Sequence, residues 1–311
     1  MISAKVAIIG SGSIGTDLLS KIARSSTSLE VAAVAGIDPE SKGIALALEL
    51  GIPTTTNGVD GLVAMPGFDD ITIVLDATSA TAHPSNAAKL AVHGKQLIGL
   101  TPARIGPFIV PAVNLGQHLD APYVSMVTCG GQSTVPIIAA INRVTPVRYG
   151  EIVTTIAAEN DRHDMQAHIN DLAETASAAI ETVGGAARGK AIMVVNPAER
   201  QLVMRDTVRC LTNRLDDQAK DQVRASIDAM VVAVARYIPG YRLKREIQIW
   251  AGASDKPASG RSDDLESGEY DEVSVFLQVE DARASLPGYI DMMTSAARLV
   301  AEEMAFRQDI Q

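Results

Sequence analysis

Short apolar runs alternate with stretches of helical spacing over the first part of the chain. Val6 to Ile9, Val31 to Ile37, Ile71 to Leu75, Gln96 to Gly99 and Tyr123 to Val127 read as buried strands. Thr16 to Ala23, Gly43 to Leu50 and Ser85 to His93 read as the helices between them. Such alternation predicts parallel βαβ units, hence an α/β fold with a doubly wound parallel sheet over residues 1–128. After Cys129 the texture changes to longer strand-like segments at Arg148 to Ala158, Ala191 to Val195, Gln201 to Val208, Tyr241 to Ile249 and Asp271 to Val279. Asp171 to Val183 and Asp217 to Tyr237 have the spacing of amphipathic helices, so a second, α+β domain is expected over 129–284. Gly252 to Glu269, rich in Gly, Ser and Asp, reads as a loop between strands. Residues 285–311 are expected to form a C-terminal helix packing back on the first domain.

Composition narrows the classes. A chain of 311 residues, 47% hydrophobic and 21% charged, is long enough for two cores. Its longest apolar runs, such as Ile71 to Leu75 and Met230 to Ala235, fall well short of the ~20 residues that span a bilayer. No membrane contact and a cytoplasmic location are therefore expected. A net charge of −10 disfavours nucleic acid. The two cysteines, Cys129 and Cys210, supply neither a disulfide framework nor a four-cysteine zinc site, and no metal is expected.

The first strand leads into Gly10-Ser11-Gly12-Ser13-Ile14-Gly15 and then a helix. In this context the first glycine permits the tight turn, the second lets a pyrophosphate approach the backbone, and the third lets helix and strand pack closely. Gly10, Gly12, Ser13, Ile14 and Gly15 are thus candidate dinucleotide-binding residues. Asp38 follows the next strand, where a carboxylate accepts the ribose hydroxyls and repels a 2′-phosphate. NAD is expected, with some NADP tolerance because Lys42 lies nearby. Thr78, Ser79 and Thr101 follow later strand ends and are cofactor-side candidates, although ordinary helix capping explains each of them as well.

Cys129 ends the fifth strand and opens Cys129-Gly130-Gly131-Gln132 at the start of a helix. The helix N-terminus favours a thiolate there, and the glycines leave room for a substrate; the competing reading is a buried structural cysteine. Cys210, inside a strand, is given no role. A dinucleotide fold joined to such a thiol implies aldehyde oxidation through a covalent thioester.

At these residues the chain resembles the CoA-acylating acetaldehyde dehydrogenases of meta-cleavage pathways. The resemblance is carried by Val6 to Leu19, Gly36 to Ser41, Leu75 to Ala80, Val127 to Gln132, Val183 to Ile192, Asn196 to Ala198, Met204 to Thr207 and Tyr237 to Tyr241. It implies a Rossmann domain followed by a dimerising domain of the glyceraldehyde-phosphate-dehydrogenase type, hence a homodimer. It also implies Cys129 as nucleophile, coenzyme A as acceptor of the acyl group, and a 4-hydroxy-2-oxoacid aldolase as partner. The family's Met-Arg-Asp-Thr aspartate falls on Asp206, a candidate for polarising water or moving a proton; an ion pair with Arg205 or another structural hydrogen bond is the alternative.

Two places depart from the family pattern. Its small-residue loop is replaced by Asn160 to Asn170, with Arg162, His163 and His168, and its cofactor-facing asparagine by Tyr289. If the three basic residues face the substrate, a larger, anionic aldehyde is expected; if not, they are solvated loop residues. Three readings follow: acylating oxidation of a small aldehyde, a non-acylating or reductive relative acting on a larger aldehyde or activated acid, and a non-catalytic cofactor-binding subunit of an aldolase complex.

Overall fold

The computed structural model describes residues 3–157, 165–196, 203–254, 268–280 and 288–309. They form two compact units, 1–132 with 285–311 and 133–284, so the division falls inside a helix, one turn past the expected 128/129 boundary.

The first unit contains β1 (Ala4–Ile9), α1 (Ser13–Ser25), β2 (Leu29–Ala35), α2 (Lys42–Glu49), β3 (Thr54–Thr55), α3 (Gly58–Val63), β4 (Ile73–Asp76), α4 (His83–Ala91), β5 (Gln96–Gly99), β6 (Phe108–Ile109), α5 (Pro111–Asn114) and β7 (Tyr123–Met126), and leads into α6 (Cys129–Asn142). Its strands pair in parallel in the order β3-β2-β1-β4-β5-β7-β6. Strands buried on both faces need continuous apolar runs, and Val6 to Ile9 and Ile73 to Leu75 are fully covered. The order reverses between β1 and β4, which opens a crevice at the carboxyl ends of the strands. β2 stops at Ala35, not at the expected Ile37. Gly36 turns the chain close to Ser11, and Ile37 is left 86% exposed, so an apolar residue there extended the run without belonging to the strand.

The C-terminal helix α9 (Gly288–Asp309) packs on α1 within this unit. A buried ionic cluster joins them. Lys21 Nζ lies 2.6 Å from Asp17 Oδ2, 2.7 Å from Asp291 Oδ1 and 2.5 Å from Thr294 Oγ1, and Thr294 donates to Asp17. One ammonium between two carboxylates leaves little tolerance for its loss.

The second unit contains β8 (Val147–Ala157), α7 (Met165–Thr182), β9 (Gly189–Asn196), β10 (Val203–Asn213), α8 (Asp217–Ala235), β11 (Tyr241–Leu243), β12 (Gln248–Ser254) and β13 (Gly268–Glu280). They build a mixed sheet, β11-β13-β10-β8-β9, with β12 also on β13. Val208, Val273, Val275 and Leu277 are fully buried and, by the strand register, face one side. The single strand expected over Tyr241 to Ile249 is two strands. Residues 244–247 oppose only Val275 and Phe276 of β13, because the consecutive charged residues Lys244, Arg245 and Glu246 turn outward, all exposed. The expected loop over Gly252 to Glu269 is shorter at both ends: β12 runs to Ser254 and β13 starts at Gly268.

Candidate active site

The glycine loop has the steric form its sequence demands. Gly10 adopts φ +105°, and a Cβ there would stand 2.5 Å from the Ala77 carbonyl oxygen. A Cβ on Gly15 would run into the Gly10 carbonyl oxygen, so the third glycine is needed for helix and strand to meet. Gly12 faces open space, with nothing within 4 Å of its missing Cβ. As N-cap of α1 it has no side chain to offer, so the N–H groups at Ser13 and Ile14 start the helix without a side-chain cap. A clear approach to uncapped amides at the positive end of a helix suits a pyrophosphate. The residues present therefore fit a dinucleotide.

Asp38 lies three residues past β2, exposed, with Oδ1 accepting from Glu40 N at 2.9 Å. Its carboxylate is held by that turn beside the exposed Ile37, an apolar neighbour for an adenine ring. Lys42 is the exposed first residue of α2. Across the crevice Thr78 bonds to Asp76 through both N and Oγ1. Ser79 Oγ accepts from Ala82 N at 3.2 Å, closing the turn before α4, whose N-cap Ala82 has no side-chain cap. Thr101 is different: its hydroxyl is buried and has no hydrogen-bond partner among the described residues, so capping does not use it.

One arrangement at this edge escaped the sequence reading. Asp76, fully buried, also accepts from His83 Nδ1 at 2.9 Å and Asn86 Nδ2 at 3.0 Å. Burial pushes its carboxyl up, but the hydrogen bonds from His83, Thr78 and Asn86 outweigh that and leave it below its ordinary value. The signal in sequence was only a histidine one strand-to-helix turn after an aspartate.

Cys129 is the first residue of α6 and lies three residues past β7. Two glycines in a first helical turn weaken it. Thr128 offsets this, its Oγ1 accepting from Gly131 N at 3.2 Å and its carbonyl from Gln132 N at 2.8 Å. Gln132 Nε2 also donates to Ile109 O at 3.0 Å, tying the turn to β6. The half-buried thiol thus stands at the positive end of a braced helix, on the same sheet edge as the glycine loop. Cys210 is fully buried, and burial with the nearby Glu272 pushes its thiol far up, so it is a poor nucleophile.

In the second unit Asp206 is buried on the apolar face of β10, between Thr154 of β8 and Leu277 of β13. Its carboxylate accepts from Ser133 Oγ and Thr154 Oγ1, both at 2.5 Å. Burial raises its carboxyl from 3.8 to about 6 against the lowering effect of Ser133, Thr154 and the Thr155 backbone. Arg205, its neighbour on a strand, points to the opposite, exposed face, which removes the ion-pair alternative. Ser133 is held a second time, its carbonyl accepting from Tyr241 Oη at 2.6 Å. It lies one turn further along α6 than Cys129.

Arg162 and His163 lie outside the described residues. His168 and Tyr289 fall in α7 and α9 by their backbones, and their side chains lie outside the description.

Residues 129–287 match the family described as "Prokaryotic acetaldehyde dehydrogenase, dimerisation", and residues 4–99 match "Oxidoreductase family, NAD-binding Rossmann fold". The chain is 54% identical over 306 residues to Acetaldehyde dehydrogenase 3 of Nocardia farcinica, covering 97% of this chain and 93% of that one. It is 55% identical over 309 residues to Acetaldehyde dehydrogenase 1 of a Nocardioides species, covering 98% of each. The chain belongs to the acetaldehyde dehydrogenase family. It is an NAD-dependent aldehyde dehydrogenase, and its second unit corresponds to the family's dimerisation domain. The fold is shared with aspartate semialdehyde dehydrogenase II of Vibrio cholerae, at a TM-score of 0.64 and 11% identity over the whole of both chains.

Proposed function

We propose that this acetaldehyde dehydrogenase family member oxidises a short aldehyde through a thioester on Cys129 and passes the acyl group to coenzyme A. The observation that carries the reading is the placement of Cys129, at the head of a braced helix on the crevice edge of the sheet that bears the glycine loop. The thiolate adds to the aldehyde carbon, and the alkoxide that forms lies at the positive end of the α6 dipole. Bound NAD+ supplies the acceptor for the hydride that leaves this carbon. Loss of that hydride restores the carbonyl as a thioester, and the thiolate of coenzyme A then displaces Cys129. Gly10, Gly12, Ser13, Ile14 and Gly15 hold the dinucleotide, and Asp38 selects NAD over NADP, with Lys42 limiting the ratio. Asp206, through Ser133, keeps α6 in register.

NADH formation with NAD+ and acetaldehyde, propanal or a carboxylate-bearing semialdehyde, with and without coenzyme A, tests the reading. Turnover that needs coenzyme A and yields the acyl thioester is expected, and Cys129→Ser should abolish it while leaving NAD+ binding intact. NADH released at full rate without coenzyme A would assign water as the acceptor. Full activity in Cys129→Ser, or an acyl adduct on Cys210, would remove Cys129 from the mechanism.

A further inference from the structure

A charged group stands in the interior at the carboxyl end of β4, and the proposed chemistry makes no use of it. Asp76 is fully buried, and its four acceptor bonds come from Thr78 N, Thr78 Oγ1, His83 Nδ1 and Asn86 Nδ2. No lysine or arginine pairs with it among the described residues. His83 is also buried and fills the space that Gly99 leaves open, where a Cβ would lie 2.5 Å from its Nε2. A neutral imidazole can donate through Nδ1, and the group then keeps one net negative charge.

The place of this charge matters. Asp76 pairs with Ile9, the last residue of β1, so it is level with the start of the glycine loop. Ala77 O and Thr78 N, the next atoms of the chain, are what a Cβ on Gly10 would strike. Residues 77–79 therefore form one wall of the crevice at the β1/β4 reversal, where dinucleotides bind in open α/β sheets. The nicotinamide ring is cationic when oxidised and neutral when reduced. A buried carboxylate acts on such a ring with little screening by solvent.

We propose that Asp76, held by Thr78, His83 and Asn86, is a positioning residue that fixes the wall of the cofactor crevice and whose charge favours the oxidised over the reduced nicotinamide. The inference rests on the NAD site alone and is independent of Cys129 and of coenzyme A.

Dissociation constants for NAD+ and NADH, measured by calorimetry without aldehyde, test it. Asp76→Asn should weaken NAD+ more than NADH, shifting the ratio of the two constants about fivefold, which corresponds to about 1 kcal/mol. Asn86→Ala, which removes one donor and keeps the charge, should weaken both cofactors alike and leave the ratio unchanged. Should Asp76→Asn not fold, Asp76→Asn combined with His83→Gln substitutes a neutral amide pair and should shift the ratio the same way. The unaltered protein should bind NAD+ at least as tightly as NADH. An unchanged ratio in the neutralised variants, or NADH binding more than about tenfold tighter in the unaltered protein, would overturn the proposal. Loss of all cofactor binding by the unaltered protein would instead strike the dinucleotide site itself.

Discussion

Asp206→Asn is expected to make the second unit more stable at neutral pH. The folded carboxyl stands at about 6 against an ordinary 3.8, chiefly because burial penalises its charge. At pH values below 3.8 both folded and unfolded chains hold the proton and the group contributes nothing. As pH rises between the two values, the unfolded chain releases its proton while the folded one keeps it, so stability falls. The fall is complete once pH has passed through the folded value. A difference of about two units amounts to roughly 3 kcal/mol that the wild type forfeits at neutral pH. An asparagine avoids this cost with little loss of bonding. Its carbonyl, in the place of Oδ1, can still accept from Thr154 Oγ1, and the Ser133 hydroxyl, which faces Oδ2, can turn to accept from its amide. Urea unfolding can be followed by the fluorescence of Trp250, the single tryptophan, which lies on β12 in the same sheet as β10. The stability advantage of Asp206→Asn should be near zero at about pH 4 and roughly 3 kcal/mol at about pH 7.5. An advantage that does not change with pH, or a variant that loses ground as pH rises, would refute the reasoning.

Gly12→Ala should leave folding unchanged, since nothing lies within 4 Å of the added carbon, yet weaken NAD+ binding at least tenfold in calorimetry. Gly15→Ala should instead destabilise the first unit, because its Cβ meets the Gly10 carbonyl; the two variants compared by thermal melting separate cofactor contact from packing. Asp38→Ala should narrow the preference for NAD over NADP in steady-state kinetics, and a wild type that prefers NADP strongly would show that Asp38 does not serve the ribose. Lys21→Met leaves Asp17 and Asp291 facing each other without a cation and should cost about 3–5 kcal/mol, seen as faster hydrogen exchange along α1 and α9.

Features whose cause is local were legible in the sequence. Gly10 and Gly15 are required by their own backbone and its nearest neighbours, so their spacing between an apolar run and a helical one carries the loop's geometry with it. The main strands of the first unit follow from apolar runs buried on both faces, a pattern that needs no partner to be recognised, whereas their order is seen only in the structure. The end of β2 and the break between β11 and β12 were misread because hydrophobicity marks what is buried, not where pairing stops. Ile37 is apolar and exposed, and residues 244–247 interrupt a register that only β13 defines. The state of Asp206 was not in the sequence at all. Its carboxyl is raised because strands β8 and β13 enclose it, and Ser133, 73 positions away, supplies a hydroxyl that opposes the rise. Asp76 shows the same division: the aspartate and histidine are seven residues apart, yet their bond forms only because α4 folds back over the end of β4 and Gly99 leaves room for the ring. Sequence alone determines torsional and patterning constraints that act over a few residues. Burial, and with it the charge state and direction of a polar side chain, is set by contacts between distant segments, and so only the tertiary structure decides it.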